Sequence, residues 1–293
     1  MIKIYTDAAS NLFPSILKEK SLDIKAISMN LHIDDKDIHC YDDDINVDEM
    51  SHEFYIDLEN KNKKISTSLI NPDTFMSAFK NDIEEGNNII CFTMASGISG
   101  TYQAATIAAD EMNEEAGKKV IHVINSATAS LGEGLQAIRA YNLAKDGMSF
   151  EALCEECDRF VLKVRSEFTV GDVSYLISSG RVSKTLARIA KLLNLKVMLY
   201  GSSESKIEFA GKVHGRKIAI STLAKTCSKH IVDKSQTVYI AHCDALDDAN
   251  KLKEHLEKEG INNVEIYYYD LITGSHVGRG TVALFYVGEN RDL

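Results

Sequence analysis

The stretch "NIICFTMASGISGTYQAA", Asn88 to Ala105, decides the fold. It opens on a short unbroken apolar run, the pattern of a strand buried on both faces. A turn rich in glycine and hydroxyls follows, and a helix-forming segment begins at once. A strand that passes straight into a helix is half of a βαβ unit.

The same alternation recurs on both sides. Upstream, "IKIYTD" (2–7) reads as a strand, Ser10–Lys20 as a helix and "IKAISMNL" (24–31) as a second strand. "LHIDDKDIHCY" (31–41) reads as a hairpin turning at Asp34, Asp35 and Lys36. A helix is predicted from Asp48 to Leu58, where Met50, Phe54 and Leu58 share one face. "KISTSLINP" (64–72) precedes a helix after Pro72. "VIHVIN" (120–125) precedes helices from about Ser130 and over Phe150–Val164.

Beyond that the character changes. "EFTVGDVSYLISSGRVSK" (167–184) leads into a predicted helix with Val182, Leu186, Ile189 and Leu193 on one side. "LKVMLYG" (195–201) and "KIEFAGKV" (206–213) read as a hairpin. Helix, strand, helix and strand follow, then the loop "LITGSHVGRG" (271–280) and a last strand (281–288). The expectation is an α/β chain of two domains that pack directly, with no Pro-rich or Ser-rich linker. Residues 1–163 would form an α/β/α layered parallel sheet, and residues 164–293 a mixed sheet with helices.

Composition narrows the function. The 293 residues carry a formal net charge of -10, with 44% hydrophobic and 26% charged residues. Such an acidic chain suits neither nucleic acid nor an anionic membrane surface. No apolar run reaches the roughly 18 residues that a membrane span needs. The N-terminus reads as a strand and lacks the apolar core of a signal peptide, so a cytoplasmic address and a monomer are expected. Of six cysteines, Cys154 and Cys157 form C-x-x-C. They sit in an amphipathic helix with two glutamates between them, which disfavours the thiolate. No second pair completes a zinc site.

Several motifs invite chemistry. In "ASGISGTYQ", Gly97 and Gly100 permit a tight turn, Ser96, Ser99 and Thr101 bring hydroxyls, and the helix brings free N–H groups. This reads equally as an anion site or as a capped helix start. A nucleophilic Ser99 with Asp270 and His276 is a third reading, but the glycine stands one place too early for G-x-S-x-G. "LGEGLQA" (131–137) is a weak dinucleotide fingerprint, too far from its strand, and no P-loop exists. Asp42, Asp44, Asn46, Asp48 and Glu53 match calcium-loop positions, but Val47 replaces the required glycine. Arg181 in "SSGRV" and the loop "GSHVGRGT" (274–281) add cations and a histidine outside a core setting. Together these loops suggest an anion held by both halves.

At these loops the sequence resembles the DegV family of bacterial fatty-acid-binding proteins, some of which are acyl-binding subunits of fatty acid kinase. "IYTDAASNL" is similar to the family's T-D-S-x-x-D-L start, "ISTSLINP" to T-S-Q-P-S and "TMASGISGTYQAA" to S-S-x-L-S-G-T-Y. "YLISSGRVSK" resembles Y-L-x-x-G-G-R-I-S, and "GSHVGRGT" resembles H-x-G-P-G-T. The resemblance implies a non-catalytic carrier that holds a long-chain fatty acid in an internal tunnel and presents it to a partner kinase. No cofactor is implied. Carried over by position, Thr67, Ser96, Ser99 and His276 would hold the carboxylate. Arg181, His214, Arg216 and Arg279 would form the nearby basic set, and the Leu186–Leu193 helix could line the tunnel. Departures are Ala8 for the first serine, Leu69-Ile70-Asn71 for Q-P-S, Arg279 within G-P-G and His214 for the leading arginine of R-x-R-K. The alternatives are a serine hydrolase or a phosphotransferase related to dihydroxyacetone kinase.

Overall fold

The computed structural model describes residues 1–38, 41, 46–60, 62–182 and 195–292. It divides into two compact units. The first comprises Met1–Ile45 and Ile65–Val161, the second Asn46–Lys64 and Leu162–Leu293. Nothing in the periodicity of Val47–Leu58 signals that this helix groups with the later half of the chain.

In the first unit four strands form a parallel sheet: β1 (Ile2–Asp7), β2 (Ile24–Ile27), β6 (Asn88–Thr93) and β7 (Ile121–Asn125), in the order β2-β1-β6-β7. The apolar runs place Ile4, Ile90 and Ile124 in the core. Helices start where their caps dictate. Asn71 accepts from Thr74 N at 2.9 Å with Pro72 in the first turn, and Ser149 accepts from Ala152 N. Gly117, at φ 64°, closes the helix Thr101–Ala116.

Two sequence expectations change here. The helix expected over Ser10–Lys20 is a 3-10 turn Ala8–Ser10, a left-handed Asn11 (φ 63°) and a short helix Pro14–Glu19. Pro14 fits only the first turn, so the helix cannot begin earlier. The strand expected over residues 24–31 is two strands in different sheets. β3 (Asn30–Ile33) leaves the parallel sheet and pairs antiparallel with β4 (Lys36–Ile38) and β5 (Ile65–Ser68).

The second unit holds a mixed sheet: β8 (Val164–Thr169), β9 (Leu195–Gly201), β10 (Ile207–His214), β11 (Val238–His242), β12 (Val264–Tyr268) and β13 (Val282–Val287). Their order is β10-β9-β8-β13-β11-β12, antiparallel except for β11 with β12. Helices Arg216–His230 and Leu246–Lys258 bury Leu223, Ala224, Leu252 and Leu256 in one core with Val238, Ile240 and Leu284. The helix Val47–Leu58 is capped by Asn46 and buries Tyr55, whose hydroxyl donates to Tyr269 O at 3.1 Å.

The helix expected to reach Val164 ends at Phe160, because Val164–Thr169 is a fully buried strand. The expected loop after Tyr269 contains a helix, Leu271–Val277, for which Asp270 is the cap. The expected helix carrying Leu186, Ile189 and Leu193 lies outside the described residues, as do Cys40, Asp42 and Asp44. Among the described residues no helix is long and apolar enough to cross a membrane.

Candidate functional site

β1, β6 and β7 end side by side, and their C-terminal loops share one hydrogen-bond network, as ligand-binding edges of parallel sheets do. Asp7 closes β1. Its buried carboxylate accepts from Ala9 N and Met94 N, both at 2.8 Å. Burial raises its pKa to about 6, and the two backbone donors oppose that rise. The strand ends are also stitched through the main chain: Ser126 N donates to Thr93 O at 3.0 Å, and Ala95 N donates to Thr128 O at 2.6 Å.

From this base rises the loop that opened the sequence. Ser96 is exposed and is gripped from β7 by Asn125. Asn125 Oδ1 accepts from Ser96 N and from Ala127 N, each at 3.1 Å, and its Nδ2 donates to Ser96 Oγ at 2.9 Å. Ser99 turns into its own turn: its Oγ lies 2.9 Å from Thr101 Oγ1 and accepts from Thr101 N at 3.3 Å. Gly100 is the first residue before the helix Thr101–Ala116. Thr67 sits half-buried on β5 opposite Leu31. A Cβ on Gly100 would lie 3.2 Å from Leu69 Cδ2, so the segment bearing Thr67 and the Ser96 loop are neighbours within this unit. Asp7 and Asn125 were missed as site residues. Their signal was a polar side chain closing each apolar run, "IYTD" and "VIHVIN".

The second unit carries the remaining candidates. His276 is in the last turn of the helix Leu271–Val277, whose cap Asp270 accepts from Thr273 N at 2.6 Å. Burial first, then the charge of Arg181, lowers the His276 pKa to about 4, so its ring is neutral at neutral pH. Arg181 Nη1 donates to Ser179 O at 2.5 Å. Arg279 is bound to Glu59 and Asp244, each at 2.6 Å, and Asp244 also meets His52 Nδ1 at 2.8 Å. Arg216 is bound to Asp248 at 2.7 Å and donates to Gly280 O at 2.5 Å. Arg216 and Arg279, two of the three arginines of the expected basic set, therefore have carboxylate partners of their own, while His214 is exposed at the end of β10. Gly171 fits because a Cβ there would fall 2.3 Å from Arg279 O.

The competing motifs resolve into structure. Gly134 of "LGEGLQA" lies mid-helix, and a Cβ there would fall 2.6 Å from Ser10 O, so close packing accounts for it. Cys154 and Cys157 are buried free thiols, and burial pushes them up to about 11 and about 12. Among the described residues no group of His, Cys, Asp and Glu could hold a metal ion.

The DegV family, described as one of uncharacterised proteins, matches residues 1–289 of this chain. A DegV domain-containing protein of Clostridium perfringens is 33% identical over 291 residues, which is 99% of this chain and 98% of that one. Among solved structures, a fatty-acid-binding DegV family protein of Thermus thermophilus is similar with a TM-score of 0.84. Its identity is 22%, with 98% of this chain and 99% of that one covered. The Fatty Acid Kinase B3 protein of Streptococcus pneumoniae, loaded with linoleic acid, is similar with a TM-score of 0.81. There the identity is 20%, with 99% and 100% covered. Identities this low speak for the two-domain α/β fold alone. The near-complete match to the family and the 33% identity of a relative of equal length carry the assignment: this chain belongs to the DegV family.

Proposed function

We propose that this protein binds one long-chain fatty acid and presents its carboxylate to a partner kinase, without itself catalysing a reaction. The observation that carries this reading is the Ser96 loop: an exposed hydroxyl, fixed by Asn125, stands five residues before the start of a sixteen-residue helix. A carboxylate leaves water only where several donors replace its hydration, and hydroxyls with helix N–H groups do so. Thr67 and Ser96 supply such donors within the first unit, and the second unit by itself offers the neutral ring of His276 beside the charge of Arg181. Ser99 shapes the turn, in keeping with its bonds to Thr101.

The acyl part of the reading comes from the relatives: linoleic acid in the Streptococcus pneumoniae protein and the fatty acid binding ascribed to the Thermus thermophilus one. Each buried methylene stabilises by roughly 0.8 kcal/mol, so the tail supplies most of the affinity. The kinase role rests on the Streptococcus pneumoniae likeness. Mass spectrometry of an organic extract of the purified protein tests the ligand, with about one fatty acid per chain expected. A protein that emerges lipid-free and takes up no added fatty acid would end the proposal. ATP-dependent conversion of the bound acid by a fatty acid kinase catalytic subunit tests the partner.

A further inference from the structure

We infer that Asn125 is a positioning residue that fixes the Ser96 hydroxyl as a hydrogen-bond donor, and so makes the site prefer a carboxylate over a neutral alcohol headgroup. This rests on the fatty-acid reading above and adds the atom that sets its headgroup selectivity.

The orientation of one amide sets the direction of the Ser96 proton. A side-chain amide can usually be turned over, because its oxygen and nitrogen are alike in shape. At Asn125 two backbone N–H groups, those of Ser96 and Ala127, aim at the same atom from 3.1 Å. Only an oxygen can accept both, since a nitrogen there would set N–H against N–H. The amide is therefore locked, and its Nδ2 must face Ser96 Oγ, at 2.9 Å. A serine hydroxyl has one proton and two lone pairs. One lone pair receives the Asn125 N–H, so the proton cannot lie on that line. Among the described residues Ser96 has no acceptor for its own proton, and the residue is exposed. The proton is left to point outward. Asn125 closes β7 and belongs to the sheet, so the donor direction is set by the fold before any ligand arrives. A carboxylate accepts that proton in a charge-assisted hydrogen bond, whereas an alcohol oxygen accepts it only in a weaker neutral one.

Asn125→Asp tests this without emptying the position. One carboxylate oxygen still accepts from Ser96 N and Ala127 N, but the other accepts from Ser96 and captures its proton. The wild-type, Asn125→Asp, Ser96→Ala and double-variant proteins are titrated with oleate and with oleyl alcohol. We expect Asn125→Asp to weaken oleate by about tenfold or more, the size of one charge-assisted hydrogen bond, and oleyl alcohol by less than about threefold. In the Ser96→Ala background the same change should cost oleate little, because no proton remains to capture. An equal loss in both backgrounds means plain charge repulsion and overturns the inference, as does an equal loss for acid and alcohol. A neutron structure of the ligand-free, unmodified protein reads the atom directly. A deuteron on Ser96 Oγ directed away from Asn125 supports the inference, and one lying between the two side chains overturns it. If wild type binds neither lipid while the deuteron points outward, the donor polarity stands and the fatty-acid reading falls.

Discussion

The candidate loops of the two units are held by different means, although the first unit has ion pairs elsewhere, such as Lys25 with Asp82. In the first, the loops at the sheet edge are fixed by neutral groups: the Asn125 amide, the Ser99 and Thr101 hydroxyls and main-chain bonds. The buried carboxylate at that edge, Asp7, is held by backbone N–H groups. The second unit uses ion pairs. Arg165 and Glu167 are 1% and 4% exposed and share Tyr286, while Arg279 and Arg216 are tied to Asp244, Glu59 and Asp248. The clamp on Ser96 is itself neutral, although the Asp7 carboxylate accepts from Met94 N two residues earlier. Ion pairs fix chain segments firmly but depend on both partners.

The largest effect should come from breaking the most buried pair. Arg165 Nε donates to Glu167 Oε1 at 2.8 Å, and Nη1 donates to Asn290 O at 2.8 Å. Arg165→Met strands the buried Glu167, whose carboxyl is already pushed up by burial and held down only by Arg165 and Tyr286, at a cost of about 3–5 kcal/mol. Arg165→Met combined with Glu167→Leu should recover most of that loss, because no charge is then stranded. The chain has no tryptophan and two compact units, so hydrogen exchange resolved by segment is the suitable measurement. Protection should fall across β8 and β13 and stay unchanged across β1 and β6. A fall of equal size in both units would erase the contrast.

Asp7→Asn should cost less, about 1–3 kcal/mol, the penalty for one buried group set against a like partner. One of the two backbone N–H groups, on Ala9 or Met94, would then face an amide nitrogen. The pH response separates the units by sign. Asp7 has a folded pKa of about 6, above its ordinary 3.8, so it contributes stability that is complete below 3.8 and lost as pH rises through 6. His242 goes the other way. Burial lowers it to about 4, and its Nδ1 accepts from Ala245 N at 3.3 Å. Stability from keeping its ring neutral is present above 6.5 and lost as pH falls toward 4. Between pH 6.5 and 4, Asp7→Asn should therefore steepen the acid loss of stability, and His242→Gln should flatten it. Parallel curves for the two variants would remove the assigned opposition.

Much of this was legible because short-range rules decided it. The apolar runs of β1, β6 and β7, the Asn71-Pro72 helix start and the turn at Asp34 are local signals, and the structure follows them. The break between β2 and β3 was hidden, because Ser28 and Met29 carry no turn signature and only pairing with β5 pulls the chain away. The helix bearing His276 was hidden behind two glycines that usually end helices; Gly274 is tolerated because a Cβ there would fall 2.0 Å from Tyr55 Oη. Ser96 could be named from its motif. Asn125 could not, since its role depends on two strand ends meeting. The charge of Arg279 was visible, but its commitment to Glu59 and Asp244 was not, because those partners lie 220 and 35 positions away.

The smallest expected effect concerns a motif, the Cys154–Cys157 pair, to which neither sequence nor structure gives a role. If Cys154 and Cys157 were a redox pair, at least one thiol would need a depressed pKa and access to solvent. Both are buried in the helix Phe150–Phe160, and burial pushes them up to about 11 and about 12. Cys227 and Cys243 of the second unit are buried with raised pKa values as well, so the units should not differ in thiol chemistry. In a Cys40→Ser background, which removes a thiol outside the described residues, a maleimide at pH 7.5 should label the native protein negligibly within minutes. It should label all five remaining cysteines in denaturant. Because thiolate fraction and exposure together set the rate, the expected result is equal silence from both units. Rapid labelling of Cys154 or Cys157 alone would show local opening of that helix and restore the pair as a candidate.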